Sequence, residues 1–137
     1  MAVIAVTGDR VSPLFINEAE IFNATCGVAI TRGQLVYFDA NGRVVLSNGG
    51  ASPTAKLAGI ALQAGSLGQV ISIIKRGHVA GYTISQAYGA LGYVSNTAGA
   101  LDDAVGTVTK SAGVVVPLSD AARTKVFYVN ADQWMVG

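Results

Sequence analysis

Any nucleophilic chemistry in this 137-residue chain would have to be built on one histidine, His78, and one cysteine, Cys26. A serine or cysteine nucleophile needs a neighbouring base to take its proton. His78 lies between Gly77 and Val79 with no carboxylate near it in sequence, which fits a structural or surface histidine better than a catalytic one. Cys26, between Thr25 and Gly27 in an apolar stretch, reads as a buried, inert thiol.

The acids do not form a working set either. A metal centre draws on grouped His, Cys or carboxylate ligands. The one adjacent acid pair, Asp102-Asp103, reads as a solvated loop and lacks the Asp-x-Asp-x-Asp-Gly calcium pattern. Glycosidic chemistry needs two carboxylates across a cleft. Glu18 and Glu20 lie near the start, and Asp9, Asp39, Asp120 and Asp132 are scattered near turns and ends. No phosphate-cradling glycine motif is present. Asn23-Ala24-Thr25 matches a glycosylation sequon, which has meaning only in a secreted eukaryotic protein. The expectation is a protein with no catalytic residue, no metal and no cofactor.

Composition points the same way. Nine basic and eight acidic residues give a net charge of +1. The basic pair Lys75-Arg76 is too short for a phosphate track, so nucleic-acid binding is not expected. Aromatic residues spread along strands would form base-stacking platforms only beside a basic groove. Charged residues are 12% of the chain against 51% hydrophobic. That charged share is about half the ~25% usual for soluble domains, as expected of a subunit that covers much of its surface by oligomerising or docking. A single cysteine excludes an internal disulfide and fits a reducing cytoplasm. Apolar runs such as Val70 to Ile74 are far short of the ~20 residues of a membrane-spanning helix. The opening residues have no positive flank and do not read as a signal peptide.

The elements that would carry these residues are strands. Seventeen glycines punctuate short runs rich in Val, Ile and Thr, the pattern of an all-β domain. Asn41-Gly42 sits between two β-rich arms, Gln34 to Ala40 and Arg43 to Leu46, and suits a type I′ hairpin turn. Further strands are expected over Lys56–Leu62, Gln69–Lys75 (continuing through Gly81), Leu91–Ser95, Ala104–Thr109, Gly113–Val116 and Lys125–Asn130. Short helical turns are expected at Ser85–Tyr88 and Ser119–Arg123.

An internal repeat organises these strands. Gly33-Gln34-Leu35-Val36-Tyr37-Phe38 matches Gly89-Ala90-Leu91-Gly92-Tyr93-Val94. Leu57 to Ala61 resembles Ala104 to Val108, and Gln69 to Ile73 resembles Lys125 to Val129. The expected organisation is one β domain over residues 23–137, with repeat copies at about 24–80 and 81–137. It would pack as a pseudo-symmetric β-barrel or β-sandwich. Residues 1–22 stand outside the repeat and read either as an extended N-terminal arm lying on a neighbouring subunit or as an ordinary first strand.

The repeat, the segment Leu57-Ala58-Gly59-Ile60-Ala61-Leu62, and the run Gly68-Gln69-Val70-Ile71-Ser72-Ile73 leading to Arg76-Gly77-His78-Val79 together resemble phage capsid cement (head decoration) proteins. The likeness spans about residues 24 to 130. The second copy departs from it, with Gly92 where the first has Val36. The resemblance implies a structural virion protein, made in the host cytoplasm, that assembles as a homo-oligomer, often a trimer. It would bind the outer capsid surface and bridge major capsid protein subunits. That work needs buried area, ~1,600 Å² for a standard interface, and no reactive group. Phe15, Ile16, Ile21 and Phe22 of the arm, and Trp134 and Met135 near the C-terminus, are then the interface candidates; for Trp134, core packing is an equal alternative. A competing reading is a small-ligand or carbohydrate-binding β-barrel module of a phage tail or fibre, which would need a concave site with convergent polar groups. An enzyme on a β scaffold is the remaining alternative.

Overall fold

The computed structural model describes residues 3–119 and 123–133. Ten strands run in chain order: β1 (Ser12–Leu14), β2 (Glu20–Thr25), β3 (Leu35–Phe38), β4 (Val44–Leu46), β5 (Gly59–Ala61), β6 (Val70–Ala80), β7 (Leu91–Val94), β8 (Leu101–Asp102), β9 (Ser111–Pro117) and β10 (Lys125–Asn130). The only helical elements among the described residues are two 3-10 turns, Gly8–Arg10 and Ile16–Glu18. The protein is all-β, and the strands form one open, strongly curled half-barrel sheet.

The sheet order is β4-β3-β5-β6-β10-β9-β7-β8, with β1 and β2 also paired to β6. All ladders are antiparallel, and β6 is the strand on which both halves meet. Along one edge it pairs with β2 and then β1; along the other it pairs with β5 at Ile73 and Ile74 and with β10 from Arg76 to Val79. Read from its two ends, the order is β4-β3-β5-β6 and β8-β7-β9-β10. Two of the sequence matches fall at corresponding places in it, on β3 and β7 and on β6 and β10. The middle match does not. Leu57–Ala61 runs into β5, but Ala104–Val108 forms no strand, and the strand at the corresponding place is β9. The duplicated unit read from sequence is therefore not shown.

Residues 3–22 do not form an arm free of the domain. Ile4 and Val11 are buried in the larger core, β1 and β2 hydrogen-bond to β6, and Val3 and Val6 make single bridges to Asp102 and Tyr82. Other expectations change for local reasons. The Asn41-Gly42 turn is wider than a two-residue I′ turn, because the Asp39 carboxylate accepts from the Asn41 and Arg43 N–H groups, and only Gly42 takes a positive φ. Ser85–Tyr88 is irregular rather than helical. The Ser119–Arg123 segment lies largely outside the described residues.

Two cores result. The larger holds Leu35, Leu57, Ile60, Ile74, Val79, Leu101 and Phe127; the smaller holds Cys26, Ile30, Val36, Val44, Ile71 and Ile73. Ile73 and Ile74 enter different cores because consecutive strand residues face opposite ways, whereas Ile74 and Val79, five residues apart, share the larger one. The pairing of β6 with β2 slips between Glu20 and Ile21, and such a bulge re-aims the side chains around it.

Close packing of neighbouring strands selects glycine at Gly113, where a Cβ would lie 2.0 Å from the Tyr128 carbonyl oxygen. Gly42 has open space around it but a φ of 78°. Gly113→Ala is expected to cost about 3 kcal/mol, the upper end of overpacking penalties. Gly42→Ala should cost no more than about 1–2 kcal/mol, from the left-handed backbone alone. Urea denaturation of both variants checks this; equal losses would refute the close-packing account.

Candidate functional site

The strongest surface feature is a cross-strand row on the outer face of the sheet. Leu14 pairs with His78, His78 with Tyr128, Tyr128 with Val114, and Val114 with Leu91. Side chains alternate along a strand, so these residues share one face while Val79, Phe127 and Val115 point into the protein and are buried. Five strands at ~4.8 Å spacing make a row roughly 19 Å long. Its ends are open to solvent, with Phe15 45%, Ile16 60% and Leu91 47% exposed.

His78 is the centre of the row. The Phe15 and Tyr128 rings each meet it nearly edge-on, with centroids 5.1 Å away. Such contacts contribute beyond simple area burial. Phe15 is held there with φ 52° and ψ 64°, a left-handed conformation that costs a non-glycine residue about 1–2 kcal/mol. The His78 Nδ1 is buried without a hydrogen-bond partner among the described residues. The histidine therefore serves as a flat spacer between two aromatic rings.

Beside this row on the same face runs a polar one. Arg76 pairs in register with Glu20 on one side and Asn130 on the other. Its guanidinium donates to the Glu20 carboxylate at 3.1 Å and to Asn130 Oδ1 at 3.1 Å. Lys75 Nζ also reaches Glu20, at 3.2 Å. The Lys75 hydrogen bond is the main reason the Glu20 carboxyl sits below its ordinary value, with Arg76 adding to it.

The other residues singled out from the sequence are dispersed. Ile21 is exposed on β2. Phe22 turns inward and packs on Phe38, centroids 5.6 Å apart, against the smaller core. Trp134 and Met135 lie outside the described residues. Cys26 is buried, and desolvation raises its thiol pKa, which leaves little of the nucleophilic thiolate. Asp102 is not in a solvated loop: it is 1% exposed, accepting from Ser95 Oγ at 3.0 Å and from the Ala104 N–H at 3.1 Å. Among the described residues, no three His, Cys, Asp or Glu side chains group to hold a metal ion, and no helix is long and apolar enough to cross a membrane.

Phe15 and Ile16, singled out in the sequence, are exposed at one end of the row, whereas Leu14, Leu91, Val114 and Tyr128 were not singled out as their companions. The signal available was the outward parity of each strand, which becomes a row only once registers are known. Compared with known proteins, the chain matches no family model, no curated protein and no solved structure.

Two outcomes are expected. His78→Leu keeps the apolar row and removes a buried unpartnered nitrogen but also loses two edge-on ring contacts, so the two effects offset and stability should change by no more than about 1 kcal/mol. A thermal-melt loss above about 2 kcal/mol would contradict that balance. Because the folded pKa of Glu20 is depressed, its ion-pair contribution is present above its ordinary value of 4.5 and is lost as pH falls through the depressed value. The urea midpoints of the wild type and Glu20→Gln should therefore differ at about pH 7 and converge as the pH falls below the depressed value. A gap that persists in acid would contradict the assignment.

Proposed function

We propose that this chain is a structural virion protein that docks on the outer surface of a phage capsid. It stabilises the head by bridging major capsid protein subunits, and it works as a homo-oligomer, with a trimer favoured. The observation that carries the reading is the outer apolar row from Leu14 to Leu91, with Phe15 and Ile16 standing at one end of it. A row of aromatic and aliphatic side chains left on a sheet face is what a protein–protein interface core is made from. The rigid rings of Phe15 and Tyr128 lose little conformational freedom on docking, which favours affinity. The resemblance of the β3, β6 and β7 sequences to cement proteins, and the low charge of the chain, support the same role. Avidity across many lattice copies would make a modest single interface sufficient.

The alternative, a small-ligand or carbohydrate-binding module of a tail or fibre, draws on a depression beside Tyr128 and Leu91. Its volume is about 270 Å³, just below the ~300 Å³ at which ligand pockets begin. The row is therefore the better supported of the two features.

The test is co-sedimentation with undecorated phage heads from the source system, alongside the solution mass. The wild type should form a defined oligomer and saturate the heads at a fixed ratio. Phe15→Asp and Leu91→Asp should each weaken head binding by roughly 30-fold, as loss of a ~2 kcal/mol hot spot would. A monomer that ignores the heads, or variants that saturate like the wild type, would overturn the assignment.

A further inference from the structure

A second surface is built around Arg32. The turn carrying it is locked. The Thr31 N–H donates to Gln34 Oε1 at 2.8 Å, the Gly33 N–H to the Ala61 carbonyl at 2.8 Å, and the Tyr82 hydroxyl to the Gly33 carbonyl at 2.7 Å. Burial raises the Tyr82 phenol well above its ordinary value, so it remains a donor. The facing wall is the N-terminal segment, which approaches closely because Gly33 and Gly81 lack side chains. A Cβ on Gly33 would lie 2.9 Å from Val6, and one on Gly81 2.8 Å from the Val11 backbone.

Arg32 itself is anchored at one atom. Its Nε donates to the Val11 carbonyl at 2.6 Å, and its other guanidinium N–H groups have no acceptor among the described residues. Three adjoining concavities of about 710, 490 and 250 Å³ all include Arg32 in their walls. Together they make a groove rather than an enclosed pocket. Arg10 stands in the wall of the second and Asp9 in those of the first and second.

We infer that this groove binds an acidic peptide segment of a partner protein, with a carboxylate side chain seated on the free face of the Arg32 guanidinium. A planar guanidinium with fixed orientation is suited to bidentate carboxylate recognition. The fixing bond at Nε leaves the terminal N–H groups to the ligand, and little side-chain freedom remains to be lost on binding. Two cations against one anion leave the groove with a single net positive charge. That net positive charge suits an acidic chain with a carboxylate seated at Arg32. The open groove fits an extended chain. This inference rests on residues outside the apolar row and does not depend on the capsid reading.

The experiment is an NMR titration of the full chain, following the arginine Nε–Hε resonances, with blocked hexaglutamate, blocked hexaglutamine and inorganic phosphate as probes. Hexaglutamate should shift the Arg32 resonance saturably, and hexaglutamine should not. Backbone amides of Thr31 to Gln34 should report at least ~10-fold weaker hexaglutamate binding in Arg32→Gln and a several-fold loss in Arg10→Ser. Because Arg32→Gln also removes the bond to Val11, Arg10→Ser serves as the variant that leaves the fold intact. No wild-type shift, equal response to hexaglutamine, or undiminished binding by Arg10→Ser would overturn the inference. Saturation by phosphate at the same or lower concentration would overturn the peptide as occupant and assign the groove to a small free anion.

Discussion

The backbone hydrogen bonding of β6 is the constraint on which the rest of the structure depends. This eleven-residue strand pairs with β1, β2, β5 and β10, and every other part of the sheet is attached through one of them. An unpaired buried peptide group costs about 1–3 kcal/mol, so a strand buried this far inside a sheet must be paired on both edges. The N-terminal segment meets that need on one edge, which explains why it lies on its own domain. On the other edge β6 passes from β5 to β10 between Ile74 and Arg76. Its alternating side chains serve two cores, and the slip in its pairing with β2 shifts that alternation so that Ile74 and Val79 share one.

That arrangement accounts for the composition. Two modest cores, separated by a strand that serves both, absorb the Ile and Val residues that make this chain so apolar. Few charges are needed inside such a frame. Of those present, Glu20, Lys75 and Arg76 gather around β6, and Asp102 is buried with its own donors. The tight glycines belong to the same account. Gly59 and Gly113 lie where the chain passes closest to the Ile74 and Tyr128 carbonyls of β6 and β10, so strand spacing, not turn geometry, selects them.

The two surfaces argued for function follow from this frame in different ways. The apolar row is a by-product of register: β1, β6, β10, β9 and β7 lie side by side, and the outward residue of each happens to be aromatic or aliphatic, with His78 at the centre. The Arg32 groove is a by-product of closure, formed where the N-terminal segment crosses the end of the sheet and the glycines let it approach. Both are positioned by paired backbone, which suits recognition better than catalysis.

The sequence by itself determined the all-β class, most of the strands and the isolation of His78 and Cys26. Those properties depend on local alternation, turn residues and the count of each residue type, all readable in one dimension. It also marked Phe15 and Ile16 as apolar residues in need of a partner. It did not determine the wide turn at Asp39, the lack of a strand at Ala104–Val108, or the burial of Asp102, because each depends on hydrogen bonds to groups whose position is set elsewhere. Tertiary structure alone decided that Leu14, His78, Tyr128, Val114 and Leu91 stand in one row. They come from five strands spread over nearly the whole chain, and a shift of one residue in any ladder would turn that strand's member of the row to the opposite face.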